Sequence, residues 1–370
     1  MRDNQRLLED KVTDMTHNGT VDINKNENLN QRKLVLHFDI RNTLIVADTV
    51  TSITVEQALN AYLTGVLWGR ASENNQWEWK SKAPSLNAPE PVKRMIVKTP
   101  VDRTKLRLTV GDFVGTEVGS SFDIYYHNNL RKLEWNHKKV DPKLTLHGNK
   151  GKHYHYILPA VYRLIQYLSD TGRDFNIIIR TYGLDCENVL HSLDHALKSK
   201  SHPAFPHLPD MNLHRKSGRI LRHGNQVTVE QMADKETVER RLENADDIYK
   251  FMSEFEGVCG FRDDFEFWQN HDYKHSCAKP LWIDPSDSSC QHIIFDDNYR
   301  PHHADSIVDI RERDQNGRWT SLDSVQLDKY DQSCLVQVDL LEAINNENYY
   351  IDKVIHCETK YDNILQSRKV

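Results

Sequence analysis

What the sequence lacks narrows it first. No apolar run approaches the roughly 20 residues that a membrane-spanning helix needs. The N-terminus has no basic stretch followed by an apolar one, so neither a span nor a secretion signal is expected. Positive charge is not in surplus: 48 Lys and Arg stand against 54 Asp and Glu, for a formal net charge of −6. Nucleic acid and anionic membranes call for a basic footprint, so neither is expected as a partner. Cysteine is sparse, with six in 370 residues. Cys186, Cys259, Cys277, Cys290, Cys334 and Cys357 are scattered without short paired spacing, which argues against a zinc site or a disulfide framework and fits a cytoplasmic, reducing setting. The 19 histidines are dispersed too. His153 with His155, and His302 with His303, read as surface or hydrogen-bonding residues rather than metal ligands. The triplet Asn18-Gly19-Thr20 has the glycosylation pattern but means little without a secretion signal. No internal repeat is present.

What is there supports a folded enzyme-sized domain. A content of 38% hydrophobic and 28% charged residues gives a core under a well-solvated surface, and the length suits one large domain or a core with an inserted cap. Residues 1–31 are polar, Asn-rich and aperiodic and read as a disordered tail, leaving 32–370 as the domain. Lys33 to Phe38 is a short run suited to a buried strand, ended by the polar turn Asp39-Ile40-Arg41-Asn42-Thr43-Leu44. Ile157, Val161, Leu164, Ile165 and Leu168 have helical spacing, with Gly172 as a stop. Phe175 to Arg180 is a second buried strand ending at Thr181-Tyr182-Gly183, and Val189, Leu190, Leu193 and Leu197 make another helix face. This alternation predicts parallel strands joined by crossovers. A long helix is expected over about 229–255, from the shared face of Val238, Leu242, Ala245, Tyr249 and Met252. His292 to Phe295 is a third buried strand, ending at Asp296-Asp297-Asn298. Ile307 to Ile310 and Cys334 to Val338 read as further strands, and Leu340 to Ile344 starts a helix. Two intervals, about 45–153 and 185–278, read as insertions. The first holds Trp135 together with Trp68, Trp77 and Trp79, the last three expected to pack, and strand-like runs at Met95 to Val97 and Phe122 to Tyr126. In the second, Arg262-Asp263-Asp264 reads as a solvated loop.

Three buried strands thus end in Asp39, in Thr181, and in Asp296 with Asp297. Ligands of open parallel α/β sheets bind at such strand ends. A carboxylate nucleophile, a hydroxyl donor and metal-binding carboxylates are the parts needed for phosphoryl transfer through an aspartyl-phosphate. Lys279, in Ala278-Lys279-Pro280, supplies a cation just upstream, and Lys274 is a rival for that role.

Taken in this order, the four sites resemble the haloacid-dehalogenase-like (HAD) hydrolases. Asp39-Ile40-Arg41-Asn42-Thr43-Leu44 resembles the first HAD motif, Thr181 the second, Lys279 the third, and Asp296-Asp297 the fourth. The resemblance covers roughly residues 33–44, 155–200 and 275–311. It implies an α/β, Rossmann-like parallel sheet core with the two insertions as caps. It implies Asp39 as nucleophile and magnesium ligand, with the Arg41 carbonyl, Asp296 and Asp297 completing the protein's share of the Mg2+ site. Thr181 would bond a phosphoryl oxygen, Lys279 would pair with the phosphate and Asp39, and Arg41 and Thr43 would face the substrate, a phosphorylated small molecule or a phosphoprotein. Neither substrate identity nor oligomeric state is legible. The sequence departs from the pattern at one position: the second acid, which protonates the leaving group in HAD phosphatases, is Arg41. A guanidinium cannot alternate as acid and base, though it could clamp an anion. Two expectations follow, a magnesium-dependent phosphohydrolase with weakened turnover, or a catalytically degenerate HAD fold serving as a binding or regulatory module.

Overall fold

The run Lys33–Phe38 forms strand β1 and is buried along nearly its whole length, as a strand flanked by parallel neighbours and covered on both faces must be. The structure, a computed structural model, describes residues 32–71, 77–87, 93–94, 111–301 and 306–367. The expected tail 1–31, the run Met95 to Val97, and His302 with His303 lie outside them.

After β1 come α1 (Val55–Val66), β2 (Trp68–Ala71), β3 (Trp77–Trp79), β4 (Lys93–Arg94), α2 (Asp123–Leu133), β5 (Thr145–His147) and β6 (His153–His155). The middle of the chain forms α3 (Pro159–Asp170), β7 (Phe175–Thr181), α4 (Cys186–Ser199), β8 (Gly218–His223), β9 (Gln226–Met232), β10 (Val238–Leu242), α5 (Ala245–Glu254), β11 (Gly257–Asp263) and α6 (Phe265–Asn270). The last part holds β12 (Lys279–Ile283), β13 (Cys290–Asp296), β14 (Val308–Arg313), β15 (Trp319–Ser321), β16 (Leu335–Gln337), α7 (Leu340–Asn345) and α8 (Tyr349–Ser367).

Eight strands form the central sheet in the order β10-β9-β8-β11-β7-β1-β13-β16. Every neighbouring pair from β8 to β16 is parallel, and β9 and β10 extend one edge antiparallel. The fold is therefore mixed α/β with a mostly parallel sheet. Side chains alternate between its faces. Leu34, Leu36 and Phe38 pack with Val161 and Leu164 of α3, Leu190 of α4 and Tyr350 of α8, whereas Val35 joins Ile178, Cys259, and Ile248 and Met252 of α5 on the other face. Each fully buried Leu, Ile or Phe contributes roughly 1.5–3 kcal/mol. Strands β12, β14 and β15 make a separate small sheet. Its β12 matters below because it begins at Lys279.

Several local expectations change. The interval expected to be one helix over 229–255 is strand β9, strand β10 and only then α5. Val238 and Leu242 belong to β10 while Ala245, Tyr249 and Met252 belong to α5, so the helical spacing ran across a strand–helix junction. Gly224, at φ 60°, makes the turn that pairs β8 with β9. Phe122 to Tyr126 is not a strand but the entry to α2, whose Tyr126, Asn129 and Leu133 recur at helical spacing on the buried face. The interval 185–278 is not set apart from the sheet, since it supplies β8 to β11. Within it, Arg262 and Asp263 lie in β11 rather than in a loop. Asp263 is buried against Arg180, and Asp264 caps α6 by accepting from the Phe267 backbone N–H. Trp68 is buried, and Trp79 packs edge-on to Phe113 and Phe122. The six cysteines are unpaired thiols. Among the described residues no helix is long and apolar enough to cross a membrane.

Candidate active site

Register alone brings the first two carboxylates together. Phe38 pairs with Phe295 across β1 and β13, so the next residues, Asp39 and Asp296, leave the sheet side by side. The Asp39 backbone N–H donates to the Phe295 carbonyl at 2.9 Å. Beyond it the chain turns sharply, with Leu44 N–H and Ile45 N–H both donating to the Ile40 carbonyl at 2.8 and 2.9 Å. Asn42 takes the left-handed conformation, φ 58°, at the turn, a region that asparagine tolerates better than most residues. This places its amide to donate to Asp297 Oδ2 at 3.0 Å.

Lys279 joins the set from β12. Its Nζ donates to Asp39 Oδ1 at 2.6 Å and to Asp296 Oδ2 at 2.7 Å, and it lies 5.3 Å from the ring centre of Tyr182. It has no exposed surface. The rival Lys274 is not in this cluster; it caps the short turn before β12, where its carbonyl accepts from Trp268 Nε1 at 3.1 Å. Asp296 Oδ1 accepts from the Asn298 backbone N–H at 2.8 Å, and Asp297 Oδ1 accepts from the Asn298 side-chain amide at 2.8 Å. Oxygens of Asp39, Asp296 and Asp297 lie within 4.8 Å of one another.

Three carboxylates face one ammonium, so full ionisation leaves two negative charges with little water to screen them. Burial pushes the Asp39 carboxyl up to about 8; Lys279 opposes the rise, and Asp296 and Asp297 add to it. Burial, then Asp296, push Asp297 up to about 6 against the help of Asn42 and Lys279. Burial works against the Lys279 charge, but Asp296, Asp39 and Asp263 outweigh it and hold its pKa above the ordinary value. A crowded, all-oxygen donor set with surplus negative charge is what a hard divalent cation neutralises. The residues present therefore fit magnesium: the oxygens need only close slightly to meet an ion at roughly 2.1 Å.

Thr181 ends β7, the neighbour of β1 on the other side. Its hydroxyl accepts from the Gly183 N–H at 2.9 Å, which leaves its own hydrogen free to donate. No direct hydrogen bond links it to Asp39, Lys279 or Asp296 among the described residues. A Cβ at Gly183 would stand 3.2 Å from Asp185 Oδ2, tighter than ordinary contact, and 3.4 Å from Thr181 Oγ1.

Arg41 is already engaged. Its Nε and one terminal nitrogen donate to Asp185 Oδ2 at 3.1 and 3.0 Å, and its other terminal nitrogen lies 2.6 Å from Asp48 Oδ2. Three of its five N–H donors are thus used within the protein. Thr43 is fully buried, and its carbonyl accepts from the Tyr350 hydroxyl at 2.6 Å. Asp48, Asp185 and Asn42 are parts of the site that sequence reasoning missed. The available signal was charge compensation, because an arginine beside a buried strand end needs carboxylates nearby.

Comparison with known proteins gave no match to a protein-family model, a curated protein or a solved structure.

Proposed function

We propose that the chain is a magnesium-dependent phosphohydrolase of HAD type that works through an aspartyl-phosphate on Asp39. The observation that carries this reading is the Asp39–Lys279–Asp296 hydrogen-bonded set, with Asp297 beside it, assembled from three separate strand ends. Asp39, Asp296 and Asp297 would hold the ion, with the Arg41 carbonyl a further ligand by the HAD resemblance. When bound, magnesium supplies charge neutralisation between the carboxylates and an incoming phosphoryl group. Asp39 would attack phosphorus with its free carboxylate oxygen, forming the P–O bond to Asp39 as the ester P–O bond breaks. Lys279 holds the other Asp39 oxygen and offsets charge on the phosphoryl group. The Thr181 hydroxyl would donate to a phosphoryl oxygen. Water would then cleave the acyl-phosphate, returning the Asp39 carboxylate and inorganic phosphate.

The Arg41 guanidinium cannot protonate the departing alkoxide or deprotonate that water, so good leaving groups are favoured over poor ones. The engagement of Arg41 by Asp48 and Asp185 also favours a second reading, a binding module in which the phosphoryl chemistry has been lost. Magnesium-dependent phosphate release from nitrophenyl phosphate separates the two. The phosphohydrolase reading expects release that disappears in Asp39→Asn, together with a phosphoryl adduct on Asp39 in acid-quenched protein by mass spectrometry. No release and no adduct with any of a broad set of phosphate esters would leave the binding module.

A further inference from the structure

Three imidazoles from three separate segments meet around Trp135. His137 lies in the loop after α2, His155 ends β6, and His202 follows Lys200, the C-cap of α4. The His155 and His202 rings stack, with centres 5.5 Å apart and planes 17° apart, and His137 stands 6.1 and 6.3 Å from them. Trp135 packs against His137, His155 and His202 at 4.9, 4.8 and 5.1 Å. Tyr162 of α3 and Phe205 close on His202 at 4.8 and 5.0 Å. His155, read from the sequence as a surface or hydrogen-bonding residue, is only 9% exposed, and its Nδ1 has no partner. His202 is fully buried, and its Nε2 has none.

This geometry suits neutral rings. An imidazolium carries two N–H groups, and each needs an acceptor when buried. His202 Nδ1 accepts from the Ala204 backbone N–H at 3.3 Å, so the neutral ring holds its hydrogen on Nε2. A second proton would have to sit on Nδ1, facing the Ala204 donor. On His155, a proton at Nδ1 would meet no acceptor. Burial, then the neighbouring imidazoles, push His155 down to about 3, and burial with His137 pushes His202 down to about 4. Asp141 acts the other way on His202. Its Oδ2 is already engaged by His195 of α4 at 2.9 Å and by the Ser201 hydroxyl at 3.2 Å, and its Oδ1 by the Lys143 backbone N–H at 3.0 Å. Protonation of His195 would tighten its contact with Asp141, so any acid-driven release rests on His155 and His202. Burial raises the Tyr162 hydroxyl far above its usual range, so it stays neutral.

We propose that His137, His155 and His202 form an acid-sensitive clasp, which closes residues 201–208 onto Trp135 and β6 and opens when His155 or His202 takes up a proton. Closed, the clasp keeps Phe205 and Leu208 in the core, 4% and 2% exposed. Open, it uncovers them together with the Trp135 ring. Once the segment is free, both rings are ordinary imidazoles. The closed state is therefore favoured in full above about pH 6.5 and loses ground as pH falls toward the lowered values. At pH 5, about 1.5 units below the ordinary imidazole value, the opening equilibrium shifts by about thirtyfold for each ring.

Hydrogen exchange of the full chain at pH 7 and pH 5, corrected for the intrinsic effect of pH on exchange, tests the clasp. Peptides covering 201–208 and 134–156 are expected to lose protection at least tenfold at pH 5, and peptides of β7 to lose less. His155→Leu and His202→Phe each remove one titrating ring and are expected to reduce that loss at least threefold. Should a variant loosen the clasp at pH 7, the natural protein supplies a second readout: in its NMR spectrum the His155 and His202 ring protons stay at neutral-ring positions down to pH 5.5. Unchanged protection of 201–208 at pH 5, an equal loss in β7, a loss undiminished in both variants, or either ring titrating near pH 6.5 in the closed protein would each overturn the proposal. These readouts are independent of any phosphoryl chemistry at Asp39.

Discussion

Two sets of buried charge flank β7, and they are resolved in different ways. On the β11 side, Arg180 donates to both oxygens of Asp263 at 2.5 and 3.0 Å and to the Pro280 carbonyl at 3.1 Å. Close by, Arg222 and Arg311 both meet Asp309 at 3.1 Å, and Arg222 also donates to the carbonyls of Ala278 and Ser276. Every carboxylate there has a guanidinium, and further guanidinium nitrogens of Arg180, Arg222 and Arg311 meet carbonyls. On the β1 side, three carboxylates share one ammonium. The first set carries one surplus positive charge, spread over guanidiniums that also meet carbonyls, whereas the second carries two surplus negative charges on carboxylates that share a single cation. The first network ties β7, β11 and β12 to one another; the second is where the proposed cation and phosphate ester would bind.

The sharpest way to break this comparison is to remove one acid from each set in the absence of metal. Asp263→Ala strands a guanidinium with no exposed surface and is expected to cost about 3–5 kcal/mol in denaturant unfolding. Asp297→Asn removes surplus negative charge, so the metal-free protein should be no less stable than the natural one. Losses of similar size in both variants would erase the distinction.

Arg41 gives the next effect. Arg41→Asp would set a third carboxylate between Asp48 and Asp185. As the arginine side chain is 25% exposed, the expected cost is smaller, about 1–3 kcal/mol. Pairing it with Asp185→Asn relieves the crowding and leaves an acid where a proton carrier belongs. Hydrolysis in magnesium should then rise at least about tenfold, within the range that general acid–base help supplies. The gain should be larger for alkyl than for nitrophenyl esters and absent when Asp39→Asn is added. A folded double variant with no gain on either ester would defeat the missing-proton-carrier account.

The smallest effect concerns pH. The Asp39 carboxyl sits at about 8 against an ordinary 3.8. A raised carboxyl favours the folded state while protonated. Its contribution is complete below about pH 3.8 and is lost as pH rises through about 8. In chelator the melting temperature of the natural protein should therefore fall, relative to that of Asp39→Asn, across this window. Comparing the two proteins cancels the buried pair His37 and His292, whose lowered pKa values destabilise the fold in the opposite, acid direction. Parallel pH curves would remove Asp39 as a source.

The parts of the fold that the sequence made legible are those with a local physical signature. The runs at β1, β7 and β13 are too continuously apolar for a half-exposed strand, and each ends abruptly in a polar residue. Lys279 stood out from Lys274 through its proline context and its place just upstream of β13. The parts that were not legible depend on partners far away in the chain. The Arg41–Asp185 contact spans 144 residues, and no pattern near Arg41 announces it. Val238 to Met252 misled because 3–4 spacing is also produced by a strand followed by a helix. Arg262 to Asp264 misled because charged residues signal solvent unless their counter-charge, here Arg180 for Asp263, is known.

In the proposed mechanism Asp39 and Asp296 jointly hold a divalent cation, and calorimetric titration of magnesium into the metal-free protein reads this binding without turnover. The account predicts one saturable site that raises the melting temperature through mass action, weakened at least tenfold in Asp39→Asn and in Asp296→Asn alike. Magnesium binding of unchanged affinity in both variants would place the ion elsewhere and contradict it.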